Sequence, residues 1–301
     1  MSAFLFLCTV LFWGLTWYAI KVQITFVAPE VSIGYRFALA TAMMFAFLLL
    51  SRQLYRTRLV DHLWFLLLGL CLFGFNFVAI YMGSAYLASG VVAVLFTIST
   101  LFNSINNWFF NQHRPNARVL GGALMGMIGV GLLFSKDLAT LDLGSERLLG
   151  MGLVFLGTYL FSLGNMVSLR VSRQGIPLTT AMAWGMFYGA MVHFCSASLQ
   201  GMTFSIPTEA AFVWSLIYLA LPGSVLGFLV YLSLLKRVGP ERAPYATVCA
   251  PVVALTVSTY LEGYVWTPEA WMGLPLILLG NLFIFARLPR LWQRPLKLQG
   301  E

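Results

Sequence analysis

Long apolar runs alternate with short polar breaks along the whole chain. A helix that crosses a bilayer needs about 20 apolar residues, so cutting the runs at charged or Gly- and Pro-rich breaks predicts ten membrane-spanning helices. They cover roughly residues 3–22, 32–50, 63–82, 86–106, 118–134, 149–168, 178–198, 211–234, 243–261 and 270–286. The apolar stretch from Leu63 to Phe110 is too long for one crossing, and we divide it at Gly83-Ser84 and Ser89-Gly90. The pattern therefore predicts an all-α membrane protein.

The second half of the chain corresponds to the first, position by position. Four pairs of residues are each separated by 151 positions (251 − 100 for the first pair): Thr100 and Pro251, Asn111 and Glu262, Gly122 and Gly273, Gly129 and Gly280. An internally repeated membrane protein is most often a transporter. We predict a first five-helix unit over residues 1–135, a second over residues 149–287 and a basic cytoplasmic tail over residues 288–301. Because each unit has an odd number of spans, the second enters the membrane upside down, as an inverted repeat.

Composition agrees with a chain that has the bilayer as its solvent. It is 60% hydrophobic and 9% charged, with a mean hydropathy of +0.85, whereas a soluble domain carries about a quarter charged residues. The first apolar run lacks a basic segment before it, and we interpret it as a permanent span rather than a cleaved signal. Four cysteines lie far apart, without ligand spacing: Cys8, Cys71, Cys195 and Cys249. The sequence thus indicates no disulfide framework, metal site or cofactor.

Basic residues are concentrated in alternate loops. One set of loops holds 14 of the 18 Lys and Arg residues, namely Arg52, Arg56, Arg58, Arg114, Arg118, Arg170, Arg173, Lys236, Arg237, Arg242, Arg287, Arg290, Arg294 and Lys297. The other set holds three, namely Lys21, Lys136 and Arg147. The positive-inside rule then predicts that both termini are cytoplasmic and that residues 137–146 lie outside. The basic residues are too scattered to indicate a nucleic-acid partner.

Several short motifs carry a family resemblance over nearly the whole chain. They are the run Phe12-Trp13-Gly14-Leu15-Thr16-Trp17, the triplet Tyr35-Arg36-Phe37, the triplet Ala250-Pro251-Val252 with Glu262 after it, and the segment Leu235-Lys236-Arg237-Val238-Gly239-Pro240-Glu241-Arg242-Ala243. The chain resembles the EamA-type members of the drug/metabolite transporter superfamily. This resemblance implies a ten-helix carrier in the bacterial inner membrane that moves small metabolites, often amino acids and usually outward. The first half departs from the family pattern, because Thr100 stands where proline is usual and Asn111 where glutamate is usual.

A polar stripe runs along the fourth predicted span. Its members are Thr97, Thr100, Asn103, Ser104, Asn107 and Asn111, spaced by three or four residues. Such a stripe is costly against lipid, and we favour a wall of the solute pathway formed by Thr100, Asn103 and Asn107. The alternative is hydrogen bonding between helices.

Arg36 is the one basic residue well inside a predicted span. It could attract the carboxylate of a solute, because its planar fork matches one. The alternative, which the sequence favours, is a structural pair with Glu30 or Glu262, or a side chain that reaches the outer interface. Pro251 and Glu262 are candidate gating or structural residues.

Four aromatic residues lie deep enough in predicted spans to form stacking walls for a solute: Trp13, Trp17, Tyr159 and Trp184. The alternative for each is ordinary packing, since Trp and Tyr are abundant at both interfaces of membrane proteins.

These features favour a small-metabolite carrier that works by alternating access, as a monomer or weak dimer whose partners are the solute and the bilayer. An intramembrane enzyme would need a nucleophile with a base, and the sequence lacks HExxH, GxSxG and P-loop motifs. A structural membrane protein leaves the polar stripe unexplained.

Within transporters, a nucleotide-sugar antiporter needs several basic residues in its core, and a drug or cation antiporter needs acids at midplane. Neutral or zwitterionic solutes, such as amino acids and their derivatives, fit best. Because no carboxylate is expected near midplane, we also predict transport down the solute gradient.

Overall fold

The computed structural model describes residues 2–112, 117–133, 135, 146–239 and 245–285, and every regular element in those residues is a helix. In the first half the helices are α1 (Ser2–Gly14), α2 (Thr16–Ile24), α3 (Pro29–Leu50), α4 (Leu59–Leu68), α5 (Phe75–Tyr86), α6 (Ser89–Phe96), α7 (Ser99–Asn111) and α8 (Ala117–Leu133). In the second half they are α9 (Glu146–Arg173), α10 (Leu178–Leu199), α11 (Ala210–Ala220), α12 (Gly227–Val238), α13 (Tyr245–Leu261) and α14 (Pro268–Phe285). Of the predicted outer segment over residues 137–146, only residue 146 is described, and the predicted tail over residues 288–301 lies outside the described residues.

Six helical stretches in the described part of the chain are long and apolar enough to cross a membrane. They are Phe4–Ile24, Pro29–Leu50, Leu59–Tyr86, Ser89–Asn111, Glu146–Arg173 and Ala210–Val238. The prediction of an all-α protein with several apolar spans is confirmed. The other four predicted spans coincide with α8, α10, α13 and α14, and their crossing of the membrane stays a prediction.

Two of the long stretches contain a π-helical turn near their middle. Gly69–Gly74 joins α4 to α5, and Leu221–Leu226 joins α11 to α12. A π turn has a backbone hydrogen-bond pattern that is rare in proteins, and it often lies at a functional site. The two turns begin 152 positions apart (221 − 69), and therefore occupy corresponding places in the two halves.

The break between the third and fourth predicted spans lies between the two places at which we divided the sequence, Gly83-Ser84 and Ser89-Gly90. The chain leaves the helical conformation at Leu87 and Ala88, whereas Gly83 and Ser84 lie inside α5. The reason is that Gly83 serves helix packing and not chain reversal. A β-carbon at Gly83 would lie 2.9 Å from the carbonyl oxygen of Gly150, so only glycine lets α5 approach α9 this closely.

Helices of one half pack against helices of the other. The main pairs are α3 with α10, α5 with α9, α6 with α13, α8 with α14, and α1 with α12 and α13. The closest approach of α8 and α14 occurs at glycines on both sides. A β-carbon at Gly129 would lie 2.6 Å from the Gly273 carbonyl oxygen, and one at Gly280 would lie 2.5 Å from that of Gly122. Small residues thus bring these two helices into backbone contact.

Candidate functional site

A cavity lies in the centre of the bundle, between α1, α2, α3, α5, α6, α9 and α12. Its lining consists of Trp13, Thr16, Trp17, Ile20, Arg36, Asn76, Phe77, Ile80, Phe96, Phe161, Gly223 and Phe228. The space in which the centre of a water molecule fits is about 40 Å³. Because one water needs about 10–15 Å³ by this measure, the cavity has room for a few waters and must widen before it takes a metabolite.

Arg36 is the charged residue of this cavity, and it is 1% exposed. Its Nε donates to Ser224 Oγ at 2.8 Å, and its Nη1 donates to Tyr81 OH at 3.2 Å. The Nη2 donates to the carbonyl oxygen of Gly223 at 3.3 Å, within the second π-helical turn. A guanidinium carries more N–H groups than these bonds use, so some remain for a further acceptor.

The charge of Arg36 has no carboxylate partner among the described residues. Its guanidinium carbon lies 4.6 Å from the ring centre of Phe77 and 5.3 Å from that of Phe37, which gives partial compensation through cation–π attraction. The expected pairing with Glu30 or Glu262 is not formed, and the side chain is buried rather than extended to an interface. The cavity wall therefore carries a buried positive charge whose named partners are all neutral.

Two further polar atoms of the cavity wall are buried without a hydrogen-bond partner. They are the indole Nε1 of Trp17, a donor, and the amide Oδ1 of Asn76, an acceptor. Buried polar atoms in folded proteins are nearly always paired, so waters in the cavity, or a solute that replaces them, would pair with these two atoms. With Arg36, the cavity presents a cation, a neutral donor and a neutral acceptor among aromatic side chains.

Aromatic rings close the cavity on the side of α9 and α12. The Trp13 ring centre lies 4.7 Å from that of Tyr231, 5.2 Å from that of Phe228 and 6.0 Å from that of Phe161. Trp17 packs against Phe96 at 5.1 Å. Of the four aromatic residues proposed from the sequence as stacking walls, Trp13 and Trp17 lie at the cavity.

The other two proposed aromatic residues lie elsewhere. Tyr159 is 38% exposed on the outer surface of α9, where its ring packs against Phe102 with 5.4 Å between centres. Trp184 packs against His62 at 4.6 Å and against Phe45 at 5.1 Å, near the start of α4. Neither residue belongs to the lining of the cavity.

The polar stripe of α7 is buried but does not line this cavity. Thr100, Asn103 and Asn107 are 1%, 0% and 5% exposed. The Oδ1 of Asn103 accepts hydrogen bonds from Ser162 Oγ at 2.9 Å and from Asn165 Nδ2 at 3.2 Å, both on α9. These are bonds between helices, as the packing alternative expects. Three atoms of the stripe nonetheless stay without a hydrogen-bond partner: Thr100 Oγ1, Asn103 Nδ2 and Ser104 Oγ.

Charged side chains hold the turn between α5 and α6. The Oε2 of Glu262 accepts hydrogen bonds from the Ser89 backbone N–H at 2.9 Å and from Ser258 Oγ at 2.7 Å. From α2, Lys21 Nζ donates to the carbonyl oxygens of Ser84 and Leu87 at 2.9 and 2.8 Å. This end of the bundle is therefore closed by groups from both halves of the chain.

Pro251 lies inside α13, in the part of this helix that packs against α1. A β-carbon at Gly14 of α1 would lie 2.8 Å from Val253, so the two helices are in close contact two residues beyond the proline. Proline removes one backbone donor from a helix and limits its geometry at this point.

Asn76 is a cavity residue that the sequence predictions did not include, although the sequence holds a signal for it. It is an isolated amide in the apolar stretch that begins at Leu63, and an amide in such a place needs a partner. The cavity phenylalanines carry no such signal, because phenylalanine is frequent throughout the predicted spans. The residues missed for this reason are Phe77, Phe96, Phe161 and Phe228.

Known transporters are similar to this chain over nearly its full length. The EamA-like transporter family matches residues 1–135 and 148–286. The chain is 24% identical over 281 residues to the uncharacterized transporter YoaV of Bacillus subtilis strain 168, covering 92% of this chain and 95% of that protein. It is 26% identical over 295 residues to the probable amino-acid metabolite efflux pump of Salmonella typhimurium strain LT2, covering 94% of this chain and 95% of that protein.

An inner membrane relative and a solved structure extend these matches. The uncharacterized inner membrane transporter YedA of Escherichia coli strain K12 is 25% identical over 281 residues, covering 90% of this chain and 86% of that protein. A crystal structure with 14% sequence identity superposes with a TM-score of 0.70 and covers 94% of this chain and 96% of its own. At that identity, the likeness concerns the fold alone.

Proposed function

We propose that this chain, which belongs to the EamA-like transporter family, carries small zwitterionic or neutral metabolites outward across the bacterial inner membrane. Amino acids and their derivatives are the solute class that we assign to it. The central cavity is the binding site, and it opens alternately to the two sides of the membrane.

The observation that carries this assignment is the buried guanidinium of Arg36 without a carboxylate partner among the described residues. An uncompensated charge in a region of low dielectric constant is costly, and the cost falls when an anion pairs with it. A carboxylate can accept two parallel hydrogen bonds from one guanidinium. The free energy of pairing is therefore available to a solute that carries a carboxylate into the cavity.

The rest of the wall suits the remaining parts of an amino acid. Asn76 Oδ1 lacks a donor, and an ammonium or amide N–H of the solute would supply one. The rings of Phe77, Phe96 and Phe161 offer an apolar surface for a side chain. A nucleotide sugar would need further cations for its phosphates, and a cationic drug would be repelled by Arg36. Both alternatives within the superfamily are thus less favoured.

We further propose that ten helices cross the membrane as two inverted five-helix repeats, residues 1–135 and 149–287, with both termini cytoplasmic. The packing of helices supports this proposal. Exchanging the halves by 151 positions turns the contact of Gly129 with Gly273 into that of Gly280 with Gly122, and both contacts exist. The two π-helical turns also correspond under nearly the same shift. Such symmetry is expected for two repeats that face each other across a pathway.

Transport assays on reconstituted protein test the proposed function. Proteoliposomes preloaded with phenylalanine would be assayed for exchange with external phenylalanine, phenethylamine, 3-phenylpropionate and a sugar phosphate, and protein-free liposomes would serve as the control. We expect the fastest exchange with phenylalanine, slower exchange with the solutes that lack one charged group, and none with the sugar phosphate. Preferred exchange with the sugar phosphate or with the amine would contradict the proposed solute class.

A further inference from the structure

A second, larger cavity lies at the end of α9, away from the central cavity. The space in which the centre of a water molecule fits is about 360 Å³. Its lining consists of Trp64, Leu67, Cys71, Phe110, Asn111, Leu163, Met166, Val167, Arg170 and Arg173. We name this second cavity the Arg170 groove. Its walls come from α4, the first π-helical turn, α7 and α9, and they are apolar except at the end where the two arginines lie.

The groove lies along the exposed face of α9, which is the face that we assign to lipid. Leu156 and Tyr159 are 52% and 38% exposed on this face, and Leu163, Val167 and Arg170 continue it at steps of three or four residues. The opposite face of the same helix is buried and includes Phe161, which lines the central cavity. The groove is therefore separate from the solute site and lies on the exposed side of α9.

Both arginines of the groove are held in place by neutral side chains. The guanidinium carbon of Arg170 lies 4.5 Å from the ring centre of Trp64. Arg173 Nη1 donates to Asn111 Oδ1 at 2.8 Å. Neither guanidinium has a carboxylate partner in the part of the chain that the structure describes, and both are exposed. Two positively charged groups held by their neighbours thus lie at one end of the otherwise apolar Arg170 groove.

We propose that the Arg170 groove binds an anionic phospholipid. The phosphate would lie between the two guanidinium groups, whose planar forks match phosphate oxygens. One acyl chain would follow Leu163 and Val167 toward the middle of the bilayer and cover the wall formed by Leu67 and Cys71. Basic pockets between membrane helices are a recurring form of lipid headgroup recognition. The proposal depends on the membrane embedding of the chain and not on the identity of the transported solute.

Native mass spectrometry of the purified full-length protein tests this proposal. The protein would be incubated with phosphatidylglycerol or with phosphatidylcholine of the same acyl chains, and retained lipid adducts would be counted. The variant Arg170→Gln/Arg173→Gln removes both charges from the groove. The matched control Lys236→Gln/Arg237→Gln removes two exposed charges from the end of α12. Size-exclusion profiles would confirm that each variant is folded.

We expect wild type and control to retain phosphatidylglycerol in preference to phosphatidylcholine. The groove variant should lose at least about tenfold in affinity, since the loss of a single charge-assisted contact already has about this effect and two are removed. The variant Val167→Trp, which obstructs the groove and keeps both charges, should lose phosphatidylglycerol as well. Equal retention by the groove variant and the control would overturn the proposal, since it would indicate general attraction to a basic surface. Displacement of the lipid by millimolar inorganic phosphate would also overturn it, because the acyl chain would then contribute nothing.

Discussion

The carboxylate of Glu262, just beyond the end of α13, accepts a hydrogen bond from the backbone N–H of Ser89, the first residue of α6, with 2.9 Å between Oε2 and N. The first N–H groups of a helix lack partners inside the helix, and a negative charge at this end is favourable. The bond joins the second half of the chain to the first. Lys21 binds the carbonyl oxygens of the preceding turn, so both sides of the turn are held.

Replacing Glu262 should loosen this end of the bundle. In Glu262→Ala the Ser89 N–H loses its acceptor, at a cost of about 1–3 kcal/mol for a buried donor. We expect faster amide hydrogen exchange at residues 87–92, by about tenfold or more. In Glu262→Gln an amide oxygen can still accept the bond, so exchange should rise less. Unchanged exchange in Glu262→Ala would show that the carboxylate does not hold the turn.

Asn103 allows the pathway and packing interpretations of the polar stripe to be separated. We predict that Asn103→Leu and Asn107→Leu each reduce transport more than they reduce the amount of folded, membrane-inserted protein. The measurements are solute exchange per vesicle and the yield of monodisperse protein. If both quantities fall in proportion, the bonds from Asn103 to Ser162 and Asn165 serve packing.

The positions of the helices follow from the sequence because lipid requires long apolar helices, whatever the tertiary contacts. The exact position of the break at Leu87 and Ala88 could not be predicted from the sequence, because glycine occurs both where a chain reverses and where helices pack closely. Gly83 has the second role, since its neighbour in the fold is Gly150. The π-helical turns also escaped prediction. The segment Gly69–Gly74 has no residue pattern that separates it from an ordinary apolar helix.

The candidate site was predictable where a residue is chemically out of place in a membrane. Arg36 is such a residue, and it lies at the cavity. Its partners were not predictable, because Ser224 and Tyr81 come from distant segments that the fold brings together. Tyr159 illustrates the opposite case. Tyr159 was proposed as a cavity residue because it lies near the middle of a predicted span. Its spacing from Leu156 and Leu163 instead places it on the exposed apolar face of α9, and this spacing could have been used.

The predicted orientation can be tested on intact cells. In a variant without the native cysteines, a single cysteine introduced near Asp142, outside the described residues, should react with an impermeant thiol reagent once the outer membrane alone is opened. The reason is the 14-to-3 distribution of basic residues between the two sets of loops. A cysteine introduced at exposed Arg237 should stay protected under the same conditions. Reaction of the Asp142 site only after the inner membrane is opened would contradict the topology.

A further prediction concerns the energy source of transport. Among the described residues that line the cavity there is no Asp, Glu or His, and His193 is buried on α10, where its ring bonds to the carbonyl oxygen of Phe73. A proton-driven carrier needs a titratable group that both sides of the membrane can reach in turn. We therefore expect that an imposed pH gradient across proteoliposomes does not concentrate the solute. Uphill accumulation that is abolished by His193→Gln or Glu262→Gln would refute this expectation and identify the coupling residue.

The most direct test of the central claim is the exchange of phenylalanine and of phenethylamine by wild type and by Arg36→Gln, measured in the same proteoliposomes. Removal of an unpaired buried charge should leave the folded protein as stable as wild type or more stable. We expect phenylalanine exchange to fall by about tenfold or more, because the carboxylate loses its charge-assisted hydrogen bonds, while phenethylamine exchange is kept or rises. Arg36→Lys should restore part of the phenylalanine exchange. Equal phenylalanine exchange by wild type and Arg36→Gln, with both proteins folded, would contradict the assignment of Arg36 as the carboxylate-binding group.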